Sequence, residues 1–283
     1  MRGPEPGPDG LKNRILVIGE SLFFGSKLPR EKDLWSHRLQ ERLRHAGHTR
    51  WEVLNGGVPG YNAFQYRAWW EEELKRTRPG ILLLEMGGND ITQAYVMGSR
   101  WQPGAPWPWE FIMRQQRKSP WWNRLTLHSC AYFLWRRRKM TERKGFERQD
   151  DQFRHEECQR VVEEKAREII DQARSMGIRV ALTSTAMAYD PGSLEKAPPQ
   201  LDAIQSNWRE NMQTSGVWLI RVARRWLDQF SRQVDCPAID LMDAFWRHPE
   251  RFRMYLDVAH WNRKGHDFAA KVIYDEIERL GWW

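Results

Sequence analysis

Cysteine is scarce in this chain, with only Cys130, Cys158 and Cys236 among 283 residues. They lie far apart, form no Cys-x-x-Cys pair and are odd in number, so neither a disulfide framework nor a zinc site is expected. Buried free thiols are the simpler reading. Long apolar runs are also missing. No stretch approaches the ~20 apolar residues of a membrane-spanning helix, and the opening MRGPEPGPDG lacks the apolar core of a secretory signal. A soluble protein is expected, cytoplasmic if Met1 is the natural start, with residues 1–10 a disordered N-terminal segment. Internal repeats and low-complexity tracts are absent. Nor is the charge one-sided: 45 Lys and Arg stand against 37 Asp and Glu, a formal +8. That excess favours anionic surfaces or substrates but is no polycationic tail, and it does not demand nucleic acid.

What the sequence does contain is a regular alternation. Short apolar runs at 14–18, 51–55, 81–86, 179–184 and 238–241 read as strands, and amphipathic stretches at about 33–46, 63–76, 155–176, 211–232 and 264–280 read as helices. Five strands alternating with helices predict a three-layer α/β/α fold built on a doubly wound parallel sheet. We expect one domain over 11–283, interrupted by an insertion at 92–154. The insertion holds six of the 17 tryptophans, a Pro-rich turn region and the basic run Arg136, Arg137, Arg138 and Lys139. Because it follows the third strand, it is expected to form a cap above the ligand-binding edge.

Four segments carry the chemistry. The first strand runs into Gly19-Glu20-Ser21, which delivers a serine to the carboxyl edge where open α/β sheets place their ligands. Asn55-Gly-Gly-Val-Pro-Gly60 follows the second strand, and Gly87-Gly-Asn-Asp90 follows the third. Before the last helix, Asp257 and His260 stand three residues apart. A serine is a weak nucleophile until a base takes its proton, and an imidazole, with an ordinary pKa of ~6.5, suits that task. An aspartate on the other ring nitrogen fixes the tautomer. The backbone N–H groups of Ser21 and Gly60 and the Asn89 carboxamide are candidate donors for the negative charge of a tetrahedral intermediate.

These four blocks, in order and each at a strand end, resemble the SGNH hydrolases, also called GDSL esterases and lipases. The resemblance spans the sheet from Ile15 to the final helix. It implies a flavodoxin-like fold, Ser21 as nucleophile, Asp257 and His260 completing a triad, and an oxyanion hole from Ser21, Gly60 and Asn89. It implies no metal and no cofactor. The first block departs from the family's usual Gly-Asp-Ser, because Glu20 stands where aspartate is usual. The expectation is a tolerated variant that keeps the charge and adds a methylene.

Competing readings assign other roles. Gly57 satisfies turn geometry, Asp90 makes structural hydrogen bonds, and Asn262 caps the last helix. His266 lies inside that helix and is expected to be structural. His37, His45, His48, His128, His155 and His248 receive no role. The insertion's tryptophans fit lid packing, a sugar-stacking platform or an acyl-chain surface, with packing the default. Trp101, Trp107, Trp109 and Trp261 are candidate substrate contacts, and Arg136 to Lys139 a candidate anionic contact, with nucleic acid a minor alternative. The expected activity is a serine esterase acting on short acyl esters of a carbohydrate or other small molecule. An O-acyltransferase with the same site, or an inactive binding module on the scaffold, are the alternatives.

Overall fold

The computed structural model describes residues 13–86, 88–97, 102–104, 155–187, 216–256 and 260–283. Five strands, β1 (Asn13–Ile18), β2 (Trp51–Asn55), β3 (Ile81–Glu85), β4 (Arg179–Thr183) and β5 (Ala238–Ile239), form one sheet in the order β2-β1-β3-β4-β5. Every neighbouring pair is parallel. That order is the flavodoxin-like one, in which the winding reverses between β1 and β3 and opens a crevice at their carboxyl ends. Segments leaving β1 and β3 therefore face each other across it.

The strands are apolar on both faces because both faces are covered. Ile15 and Val17 of β1, with Ile81 and Leu83 of β3, point into one core, while Leu16, Ile18, Leu82 and Leu84 point into the other. The first core is closed by α2 (Trp35–His45), α7 (Leu241–Arg247) and α8 (Arg263–Arg279) through Leu39, Leu43, Phe245, Ile273 and Ile277. The second is closed by α3 (Ala63–Glu72), α4 (Gly88–Met97), α5 (His155–Ser175) and α6 (Gly216–Gln233), through residues that include Trp70, Ile91, Ile170 and Phe230. A single-turn helix, α1 (Ser21–Phe24), follows β1. The result is the expected three-layer α/β/α arrangement.

One strand and two helices depart from the sequence expectation. The strand expected at 238–241 ends at Ile239, because the Asp240 side chain accepts from the Asp243 N–H and starts α7. α3 stops at Glu72 and gives way to a 3₁₀ turn, Leu74–Thr77. α4 extends to Met97, so the first residues of the expected insertion, 92–97, continue a helix whose Ile91 and Ala94 lie in the core. The rest of the expected insertion, apart from 102–104, lies outside the described residues, as does the basic run 136–139. Among the described residues, no helix is long and apolar enough to cross a membrane.

Candidate active site

β1 ends at Ile18, and Gly19 permits the turn that follows. A Cβ on Gly19 would lie 2.6 Å from Glu85 Oε2 and 2.7 Å from the Phe23 ring, so a larger residue would force these side chains to shift. Ser21 opens α1, a helix too short to hold itself. Its Phe24 N–H donates to the Glu20 carbonyl, and left-handed Gly25 (φ 76°) closes it by donating to the Ser21 and Leu22 carbonyls. From outside, the Phe23 carbonyl accepts from Trp35 Nε1 at 2.6 Å and from Asn55 Nδ2 at 2.8 Å. Neighbouring layers thus hold the serine in place.

The Asn55–Gly60 loop is tied to the same frame. Gly56 N–H donates to Val17 O and Val58 N–H to Gly19 O. Gly57 is required by close approach, since a Cβ there would lie 2.5 Å from the Phe24 nitrogen. Pro59 and Gly60 occupy the centre of a turn closed by Tyr61 N–H to Val58 O, and Gly60 has φ 79°. Proline followed by positive-φ glycine is the pattern of a type II turn. The first turn of α4 clasps this loop. Asn89 Nδ2 donates to Tyr61 O at 2.9 Å, and the Asp90 carboxylate accepts the Ala63 N–H at 3.0 Å. Gly60 and Asn89 are therefore carried on one hydrogen-bonded unit, and Asp90 has the structural role expected of it.

His260 Nε2 lies 3.1 Å from Ser21 Oγ across 239 residues of sequence. The loop that presents it is pinned on both sides. Leu256 N–H donates to His260 O at 2.7 Å, Tyr255 and Trp261 form an antiparallel bridge, and Asn262 Nδ2 donates to Arg253 O at 2.7 Å. Asn262 also caps α8, accepting from the Lys264 and Gly265 N–H groups. Asp257 lies outside the described residues, as do Trp101, Trp107 and Trp109.

Trp261 is not a substrate contact. It is fully buried, its indole N–H donates to Ala186 O at 3.1 Å, its ring stacks on Phe245 at 5.1 Å and it makes a T-shaped contact with Phe23 at 5.6 Å. No face of the ring is left for a ligand. His266 is buried with Nδ1 accepting from the Trp35 N–H at 3.2 Å, which makes it the structural histidine expected. Cys158 and Cys236 are buried free thiols, and burial pushes both further from ionisation. Among the described residues, no cluster of three or more His, Cys, Asp or Glu is placed to hold a metal ion.

Beneath the serine lies a feature that the sequence reading did not anticipate. Glu20, Glu85 and Asp90 are all buried. Glu85 Oε2 accepts the Glu20 N–H at 2.6 Å, with the Tyr66 hydroxyl 3.5 Å away. Thr185 Oγ1 lies 2.8 Å from Glu85 Oε1 and 3.3 Å from Glu20 Oε1. Gly88 makes the room: a Cβ there would lie 2.5 Å from Glu20 Oε1. Burial, then the Glu85 and Asp90 carboxylates, pushes Glu20 well above the usual carboxylate range. Burial also raises Glu85 and Asp90, each to about 7, against the hydrogen bonds they accept. Glu20 thus keeps a carboxyl group at this position but places it in a buried cluster of acids that opposes its ionisation. The available signal was Glu85 itself, a carboxylate closing an otherwise apolar strand.

Comparison with known proteins gives a consistent picture. The sequence model of the GDSL-like Lipase/Acylhydrolase family matches residues 17–268. No curated protein matches in sequence. Among solved structures, an acetyl xylan esterase, AlAXEase, is similar at 14% identity with a TM-score of 0.56, covering 93% of this chain and 99% of that one. TesA is similar at 14% identity and TM-score 0.55, covering 95% and 99%. A lipase/acylhydrolase from Enterococcus faecalis is similar at 14% identity and TM-score 0.53, covering 95% and 96%. At such identities the likeness is one of fold.

Proposed function

Because this chain belongs to the GDSL-like lipase/acylhydrolase family, we propose that it is a serine esterase working through an acyl-enzyme on Ser21. The observation that carries the reading is the 3.1 Å contact between His260 Nε2 and Ser21 Oγ, a distance at which an imidazole removes a hydroxyl proton as the oxygen attacks. Ser21 Oγ adds to the ester carbonyl, and His260 takes its proton. The charge that develops on the carbonyl oxygen falls to the N–H groups of Ser21 and Gly60 and to the Asn89 carboxamide. One N–H of that carboxamide is used on Tyr61 O, which fixes the plane in which the other is offered. Collapse of the intermediate passes the proton from His260 to the leaving alcohol, and water then repeats the sequence to release the acid. Asp257 is assigned to orient His260 through its other ring nitrogen.

The substrate assigned is a short acyl ester, such as an acetyl group on a carbohydrate or other small molecule. Fold-level likeness to an acetyl xylan esterase supports that class. The Trp-rich segment after α4 is assigned to substrate choice. The test is turnover of p-nitrophenyl acetate and of acetylated sugars by the wild type and Ser21→Ala. Hydrolysis by the wild type and its loss in the variant are expected; equal rates would refute the assignment.

A further inference from the structure

Thr185 has one hydroxyl proton and two carboxyl oxygens to satisfy, Glu85 Oε1 at 2.8 Å and Glu20 Oε1 at 3.3 Å. A hydroxyl donates once, so only one of the two contacts can use its proton. Two full-strength bonds form only if the other runs in reverse, from a carboxylic acid O–H into the lone pair of Thr185 Oγ1, instead of both carboxylates sharing one proton in a weaker three-centre contact. A carboxylate has no proton to give. That arrangement requires one of the two glutamates to be protonated.

The donors decide which. Glu85 faces the Glu20 backbone N–H, the Thr185 hydroxyl and the Tyr66 hydroxyl, a set suited to an anion. Glu20 is hemmed in by Glu85 from β3, by Asp90 and the Gly88 backbone from α4, by Thr185 after β4, and by Tyr66 from α3, with His260 on the far side of Ser21. Two of those neighbours are carboxyl groups. We propose that Glu20 is a neutral carboxylic acid whose O–H donates to Thr185, and that its ionisation at alkaline pH opens the ring behind Ser21 and switches the site off. The ring runs from Glu20 N–H to Glu85, from Thr185 to Glu85 and from Glu20 back to Thr185, and so ties together the carboxyl ends of β1, β3 and β4. The raised proton affinity of Glu20 agrees with this assignment.

Glu20 is a positioning residue, because it acts on the ester only through the placement of Ser21. A second carboxylate beside Glu85, in a space tight enough to require Gly88, repels and forces the turn to move. The switching part rests on the esterase reading of Ser21, whereas the proton part does not.

Infrared spectroscopy of the wild type at about pH 8 reads the proton without substrate, because a buried acid retains a carbonyl band that carboxylates lack. Selective ¹³C labelling of glutamate should shift this band, and Glu20→Gln should remove it. In Thr185→Val the band should move to higher frequency as its hydrogen bond is lost. No acid band in the wild type, or one that survives in Glu20→Gln, overturns the assignment. For the switch, kcat/KM is followed against pH. Glu20→Gln keeps the shape and a donor but cannot ionise, so it should lose less than about twofold at the alkaline pH where the wild type has lost about tenfold. An alkaline limb identical to that of the wild type overturns the switch. A wild type inert to every ester overturns the switch and the proposed function together while the infrared result stands, so the failures are distinguishable.

Discussion

The rings of Phe23 and Trp261 meet in a T-shaped contact, centroids 5.6 Å apart and planes at 76°, and through it the two halves of the candidate site hold each other in place. Phe23 lies two residues beyond Ser21, and Trp261 lies one beyond His260. Their packing, with Trp35 in a second T-shaped contact with Phe23 and Phe245 stacked on Trp261, is what sets the 3.1 Å approach of serine and histidine. Trp261→Ala should cost about 3–5 kcal/mol in urea unfolding, as expected for a large buried aromatic. Trp261→Phe keeps the ring contact and loses only the indole bond to Ala186, so a cost of about 1–3 kcal/mol with activity largely retained is expected.

Gly57 offers a test of the loop frame. Gly57→Ala places a methyl 2.5 Å from the Phe24 nitrogen, a backbone atom that cannot swing aside. The nucleophile turn must shift, and a loss of about 1–3 kcal/mol is expected together with a fall in kcat. Gly47→Ala is the comparison. At φ 86° it carries strain of its own, but nothing lies within 4 Å and it is remote from the site, so kcat should be unchanged.

Asn89→Ala removes a proposed oxyanion donor and the bond to Tyr61 O. A drop of about 10²–10³ in kcat is expected, with KM changed far less. A fall confined to KM would assign Asn89 to substrate binding instead.

The fold was largely legible because a doubly covered parallel sheet writes itself as apolar runs. Ile15 to Ile18 and Ile81 to Leu84 have no polar face to confuse the period. The pairing of Ser21 with His260 was legible because one follows a strand and the other precedes a helix at the carboxyl edge, and the structure brings them to 3.1 Å. The acid cluster was not. Glu85 and Thr185 come together with Glu20 only once β3 and β4 are paired in register, Glu85 beside Thr183, and nothing local in sequence announces that. Trp261 was misread for the opposite reason. Its neighbour His260 faces the site, but the alternation of side chains sends the indole inward among Phe23, Phe245 and His266.

Stability should depend on pH with a definite sign. Glu20, Glu85 and Asp90 bind protons more tightly in the folded state, Glu85 and Asp90 with values of about 7. The stability they contribute is fully present below the unfolded carboxylate range, ~4, and is lost as pH rises through about 7. Thermal denaturation should therefore show Tm falling from mildly acidic to mildly alkaline pH, and falling less steeply in Glu20→Gln. A Tm that rises across that window would contradict the burial-driven shifts.

The most direct test of the central claim is a fluorophosphonate probe followed by mapping of the adduct by mass spectrometry. The account predicts one adduct, on Ser21, absent from Ser21→Ala and strongly slowed in His260→Ala. Undiminished labelling of Ser21→Ala, or an adduct mapped to any other residue, would contradict it.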